Sequence, residues 1–157
     1  MSYLITQENI VNYVHNVDTG FSSEPVSTTI EYYPGTEVTY TPTTGASKVI
    51  YECNFSISWS PDASSSYSCS RLQYSTDGGS SWSTIQGTQM LEGNKSPSSD
   101  YHFHVFKHSY ILDTWSGERK IRLAGRSYDS SVDFTVGGAL GSNSVSCPHV
   151  SIYSVML

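Results

Sequence analysis

Residues that build long helices are in short supply in this chain. Alanine, leucine, lysine and glutamate are few, and charged residues of all types make up only 14%. Long helices therefore lack their usual material. Basic residues number 8 against 14 acidic ones, a formal net charge of −6, which argues against nucleic acid as a partner. No basic cluster of the juxtamembrane kind occurs, and no apolar run approaches the roughly 18 residues of a membrane span. The segment after Met1, "SYLITQENIVNYVHN", has neither a basic leading region nor a continuous apolar one, so it does not read as a signal peptide. Cysteines number 3, at Cys53, Cys69 and Cys147, with no CxxC spacing. That argues against a disulfide framework or zinc site and for buried apolar thiols. A GxSxG elbow, a Walker loop and a dinucleotide fingerprint are all missing.

What is abundant points one way. Serine and threonine exceed a quarter of the chain, with 12 tyrosines and 12 glycines. Aromatic and hydroxyl residues suit pleated surfaces, so the composition is all-β. The clearest element is "KVIYECNFSISW": Val49, Tyr51, Cys53, Phe55, Ile57 and Trp59 alternate with Glu52, Asn54, Ser56 and Ser58. This is a strand with one face in a core, interrupted on its polar face by Ile50. "CSRLQYS" and "WSTIQGTQM" read as two further strands, and "YHFHVFKHSYILDTW" as a long aromatic strand region bent near Lys107. "RKIRLAGRSYD" carries Ile121 and Leu123 on one face and Arg122 on the other. "STTIEYYP" and "EVTYTP" read as a pair joined by the turn dipeptide Pro34-Gly35. "VGGALGSNSVS" is a glycine-rich loop, and "HVSIYSVML" closes the chain as a strand. Roughly eight to ten short strands separated by turns describe a β-sandwich or barrel. The first 20 residues allow two readings: a short helix capped by Thr6, or a strand with Val11, Tyr13, His15 and Val17 on one face. They are read as an arm outside the main sandwich.

"YSTDGGSSWS" fits Ser-x-Asp-x-Gly-x-x-Trp through Ser75, Asp77, Gly79 and Trp82, and resembles the Asp-box of sialidases and related propeller proteins. It occurs once here, whereas a six-bladed propeller needs about 24 strands. The arginine constellation of sialidases cannot be placed on Arg71, Arg119, Arg122 and Arg126. The stretch is expected to be a structural hairpin turn, with Ser75 and Asp77 bonding backbone amides and Gly78 and Gly79 supplying positive φ.

Other candidate chemistry is thin. His102 and His104 share a strand face, with His108 nearby. Two such histidines can hold zinc or nickel, but a site needs a third or fourth ligand that the sequence does not place. They read as polar residues of a strand surface or subunit contact, and neither metal nor cofactor is expected. Asp113, Glu118, Asp129 and Asp133 fall in turns, where aspartate serves local hydrogen bonding. A glycosidase needs two carboxylates facing across a cleft, and enzyme function is the minority reading. The aromatics suit a sugar-binding platform or a subunit interface equally.

Four stretches together resemble one family. "TEVTYTPTTGASKVIYECNFSISW", "RLQYSTDGGSSWSTI", "HSYILDTWSGERKIRLAGRSYD" and "SVSCPHVSIYSVML" resemble, in order, strands of the tumour-necrosis-factor/C1q-like jelly rolls of bacteriophage fibre and decoration proteins. The likeness runs from about residue 36 to 157. It implies an antiparallel jelly-roll β-sandwich over 36–157, preceded by an arm and leading strands over 1–35. It also implies a homotrimer packed through the closing strand, with Tyr153 and Val155 as interface residues. The implied role is a virion structural protein on the outside of a phage particle, bound to the major capsid or another virion protein. A head decoration or head-fibre protein is favoured because the long repetitive shaft of a tail fibre is missing. Leu4, Ile5, Ile10, Val11 and Val14 are then the expected attachment residues. A tail-fibre knob gripping cell-surface polysaccharide is the alternative.

Overall fold

The computed structural model describes residues 9–17, 24–59, 66–94, 102–127, 134–136 and 148–156. They form strands β1 (Ile10–Val17), β2 (Glu24–Val26), β3 (Glu31–Tyr32), β4 (Val38–Tyr40), β5 (Lys48–Trp59), β6 (Ser66–Ser75), β7 (Ser83–Thr84), β8 (Met90–Asn94), β9 (His102–Leu112), β10 (Arg119–Ser127), β11 (Phe134–Val136) and β12 (His149–Val155). The alternation read from β5 holds: Val49, Tyr51, Cys53, Phe55 and Ile57 are all buried.

The strands make two antiparallel sheets. In sheet A, β5 pairs with β9 along one edge and with β12 and β11 along the other, with β1 beyond β12 and β2 beyond β11. In sheet B, β10 lies between β6 and the short strands β3 and β4, and β7 and β8 pair with the far edge of β6. The chain changes sheet at β2–β3, β4–β5, β5–β6, β8–β9, β9–β10 and β10–β11. Most long strands therefore pair with partners remote in sequence, which is the jelly-roll pattern. Tyr33, Tyr51, Phe55, Leu72, Ile121, Leu123, Phe134 and Ile152 fill the space between the sheets.

Several expectations change. Strand β9 runs in unbroken register with β5 from Val49↔Leu112 to Trp59↔His102, so there is no bend at Lys107. Strands β3 and β4 do not pair with each other. Both add to the same edge of β10, at Gly125↔Glu31 and at Ile121↔Val38. Between them Gly35 takes a φ of 76°. The Thr36 hydroxyl fills the gap in the ladder, accepting from Leu123 N at 3.1 Å and donating to Tyr33 O at 2.5 Å. "WSTIQGTQM" holds only the two-residue β7, a turn at Gly87 and the start of β8.

The largest correction concerns the amino-terminal segment. Residues 10–17 are no free arm: β1 pairs with β12 from Ile10↔Val155 to Val17↔His149. A register break between Val11 and Val14 accommodates Asn12 at φ 53°, a left-handed conformation that asparagine tolerates better than most residues. Its amide donates to Thr41 O at 2.8 Å, and its carbonyl accepts from the Tyr40 hydroxyl at 2.8 Å. The bulge lets Val14 pack against the core. Residues 24–35 likewise contribute strands to both sheets, so the boundary near residue 36 separates nothing in the fold.

Candidate functional site

The outer face of sheet A carries an apolar row. Ile111 of β9 stands opposite Ile50 of β5, and Ile50 opposite Tyr153 of β12. Tyr13 of β1 then stacks on Tyr153 at 5.9 Å. Ile111 is 69% exposed, Val105 66% and Tyr13 57%, whereas Ile50 is covered by its neighbours. The lone apolar residue on the polar face of β5 thus belongs to a patch supplied by four strands. Burial raises the Tyr153 hydroxyl above its ordinary pKa, helped by nearby Glu52 and Tyr13. The row has a polar flank, where the Ser151 hydroxyl meets Tyr13 Oη at 3.0 Å and His15 Nδ1 at 2.9 Å.

Of the two expected interface residues, Tyr153 lies in this row and Val155 does not take part. Val155 is 1% exposed, enclosed between Ile10 and Lys48 with its carbonyl accepting from Ser47 N. Its own chain already covers it. Of the expected attachment residues, Ile10, Val11 and Val14 belong to β1 and are half-buried there. Leu4 and Ile5 lie outside the described residues.

The turn after β6 has the predicted bonding. The Ser75 hydroxyl donates to Asp77 Oδ1 at 2.6 Å and accepts from Gly79 N at 2.8 Å. Asp77 Oδ1 accepts from Ser81 N at 3.0 Å and Oδ2 from the Ser81 hydroxyl at 2.6 Å. Gly78 and Gly79 have φ of 75° and 101°. Trp82 Nε1 donates to Gly79 O at 2.9 Å, which folds the indole back over the turn. These bonds hold the Asp77 carboxyl far below its ordinary pKa, Ser75 contributing most. Because the folded pKa is depressed, the stabilisation is complete above the ordinary value of 3.8 and declines as pH falls below it. Ser75→Ala is expected to lower stability by about 1 kcal/mol, leaving the part-buried Asp77 and Gly79 amides without this acceptor. Its deficit in urea melts should be full at pH 7 and shrink below pH 3.8.

Arg122 covers the Trp82 indole at 3.7 Å and lies 5.2 Å from the Tyr32 ring. Its Nε–H donates to Gln73 Oε1 at 3.0 Å. Burial lowers its pKa from the ordinary value. Lys120, Arg122 and Arg126 share the outward face of β10, and Arg71 projects from β6 opposite Ala124. Lys120 pairs with Glu37 at 2.8 Å. Among the described residues Arg71 and Arg126 have no carboxylate partner, and the Nε of each is buried without an acceptor.

Arg119 points elsewhere. At one end of the sandwich, a cleft of about 620 Å³ opens between β9 and the turn after β7, lined among others by Tyr74, Thr84, Thr88, Ile111, Trp115 and Arg119. The Arg119 guanidinium stacks on Tyr74 at 4.6 Å and Trp115 at 5.1 Å. Trp115 in turn meets Tyr40 edge-on at 6.2 Å. Arg119 Nε and Trp115 Nε1 are both buried N–H groups without an acceptor. Asp113 is the single carboxylate lining the cleft among the described residues, and Lys48 holds it at 2.5 Å, which lowers its pKa. Glu118 is exposed in the neighbouring turn, and Asp129 and Asp133 lie outside the described residues. The aromatic–arginine cluster had only a weak sequence signal, "DTWSGER", because Tyr74 reaches it from another strand.

His108 faces inward, whereas His104 on the same face of β9 is exposed. His108 is buried, stacked on Phe55 at 5.2 Å and 6.1 Å from Phe106, and His104 extends the same file toward its exposed end. Among the described residues no group of three or more His, Cys, Asp or Glu side chains is placed to hold a metal ion. The His102 side chain is not described. Cys53 is a buried core residue that forms no disulfide, Cys69 is half-buried on the outer face of sheet B, and Cys147 lies outside the described residues.

No family model and no curated protein matches the sequence. Among solved structures, the chain is similar to the globular domain of the zebrafish complement 1qA protein. That match is 13% identical over 73% of this chain and 68% of the other, with a TM-score of 0.34. It is also similar to the Eiger TNF of S. frugiperda, 8% identical over 91% of this chain and 92% of that one, with a TM-score of 0.39.

Proposed function

We propose that this jelly-roll chain is a non-enzymatic structural subunit of a bacteriophage particle, displayed on the virion surface as a homotrimer. The observation that carries the assembly is the apolar row Ile111–Ile50–Tyr153–Tyr13, exposed at Ile111 and Tyr13. Contiguous exposed apolar patches on soluble domains mark interaction sites. In a trimer a patch drawn from four strands would meet its own copies beside the threefold axis, with different surfaces of neighbouring subunits in contact farther out. The virion role rests on the resemblance of residues 36–157 to phage decoration and fibre jelly rolls, and it places the partner among capsid or other virion proteins. Light scattering at micromolar concentration should give three times the 17.3 kDa chain mass. Gold-labelled antibody should mark the particle in electron micrographs. A monomer mass, or particles without label, would refute the respective half.

The second reading, a knob that grips cell-surface polysaccharide, is favoured by the cleft. Sugar sites combine flat aromatic surfaces with a few convergent polar groups. Trp115, Tyr74 and Arg119 with Thr84 and Thr88 supply both. On this reading Trp115→Ala should abolish binding on a glycan array of the host surface while the fold survives. Unchanged binding by that variant would remove the cleft from consideration.

A further inference from the structure

A net charge of −6 hides a segregation that only the folded chain reveals. Of the 8 basic residues, Arg71, Lys120, Arg122 and Arg126 share the outer face of sheet B. Two positions along a strand are about 7 Å apart, so Lys120 to Arg126 spans about 20 Å. Like charges this close repel, and a surface with no use for them would interleave acidic residues. Lys120 pairs with Glu37, whose charge also reaches Arg122, whereas Arg71 and Arg126 have no carboxylate partner among the described residues. Arginine left in this state is suited to taking oxyanions in pairs of hydrogen bonds.

The same face offers more than charge. Tyr32 is exposed beside Ala124, and Trp82 lies under Arg122. Thr39 and Gln73 stand in register with Lys120 and Arg122 and offer groups for hydroxyls. The hairpin that Ser75 and Asp77 stiffen therefore does a second job. By bonding Trp82 Nε1 back to Gly79, it holds the aromatic flank on which Arg122 is stacked.

We infer that the outer face of sheet B binds a linear acidic polysaccharide, whose carboxylates meet Arg71, Arg126 and Arg122 while its sugar faces and hydroxyls meet Tyr32, Thr39 and Gln73. This rests on the polysaccharide-binding reading and adds to it a surface and a charge class distinct from the cleft. Nucleic acid is the rival polyanion. Duplex DNA carries a charge about every 1.7 Å of its axis and would be repelled by the rest of an acidic protein. A polysaccharide with one carboxylate per sugar or fewer matches cations set on alternate residues.

The test is titration of the full chain with polygalacturonate at about 150 mM salt, where weak long-range attraction is screened. Dextran and a DNA duplex of equal total charge serve as comparisons. Polygalacturonate should bind, and more weakly as salt rises. The paired variant Arg71→Gln/Arg126→Gln should lose at least about tenfold in affinity, the loss expected for two charge-assisted hydrogen bonds. Arg71→Lys/Arg126→Lys, which keeps the charge, should retain more binding than the glutamine pair, and Arg119→Ala, in the cleft, should bind as the parent does. Equal binding by the glutamine pair, or DNA binding as tight as polygalacturonate at the same salt, overturns the inference. Dextran binding without polygalacturonate binding overturns it too but leaves the polysaccharide reading intact. Binding of no saccharide defeats both.

Discussion

Ile111→Glu is expected to yield a folded monomer. Ile111 is 69% exposed in the single chain, so its replacement touches little within the subunit, and surface changes of this kind usually stay within about 0.5 kcal/mol. In a trimer closed through the outer face of sheet A, the same position is dry. A carboxylate there must either stay charged and lose water or bind a proton, at a cost of several kcal/mol per copy. The penalty enters three times, once for each subunit, so association should be lost altogether at micromolar concentration and not merely weakened. Light scattering against the parent, with circular dichroism melts of both, separates the two effects. Val105→Glu should act in the same direction if the interface extends along β9, because Val105 is exposed on the same face three rows away. Glutamate at the exposed Leu91 of sheet B should leave the mass unchanged. If Ile111→Glu remains a trimer, the assembly uses another face; if the parent is itself a monomer, the trimer is wrong outright.

Gly125→Ala should cause the largest loss of stability from a single added methyl. Gly125 lies on β10 opposite Ser70 on one side and Glu31 on the other. A Cβ built there falls 2.6 Å from Tyr33 Cζ and 2.8 Å from Cys69 O, with Tyr33 Oη nearer still. None of these atoms can withdraw easily. Cys69 O belongs to the sheet backbone, and Tyr33 is pinned by its amide bond to Leu123 O at 2.8 Å. Its ring packs on Phe55 at 5.3 Å and Phe134 at 6.2 Å. Overpacking a well-filled core typically costs about 1–3 kcal/mol and occasionally more. With two rigid obstacles the expectation is about 3 kcal/mol or more, a fall in melting temperature of roughly 10 °C for a domain of this size. Tyr33→Leu in the same chain should recover part of the loss, giving a favourable coupling in a double-mutant cycle. Gly87→Ala is the control, since its Cβ meets nothing within 4 Å and only the positive φ of 78° opposes it. Strain of that kind costs about 1 kcal/mol. Equal losses at the two glycines would show that the tyrosine yields and the steric account is wrong.

The amino-acid sequence by itself determined the class of fold, the faces of the strands and the turn. Alternation in "KVIYECNFSISW" and "HVSIYSVML", aromatic and hydroxyl abundance, and the Ser75–Trp82 pattern are local properties, readable wherever the period of two survives. Periodicity says which side chains travel together and does not say which side is inside. His104 and His108 share a strand face as that rule requires, but His108 is buried and not on a surface, because the ring stack with Phe55 that covers it comes from β5. Val155, an interface residue on the family resemblance, is covered within its own chain. Its cover is supplied by β1, about 140 residues away in the chain, through a register that the bulge at Asn12 displaces. The charges followed the same logic. Arg119, Arg122 and Arg126 are neighbours in sequence, yet Arg119 faces a cleft with Trp115 while the other two face outward beside Arg71 of β6. A jelly roll pairs strands that are distant along the chain, so every property that depends on what stands across a sheet was decided by the tertiary structure alone.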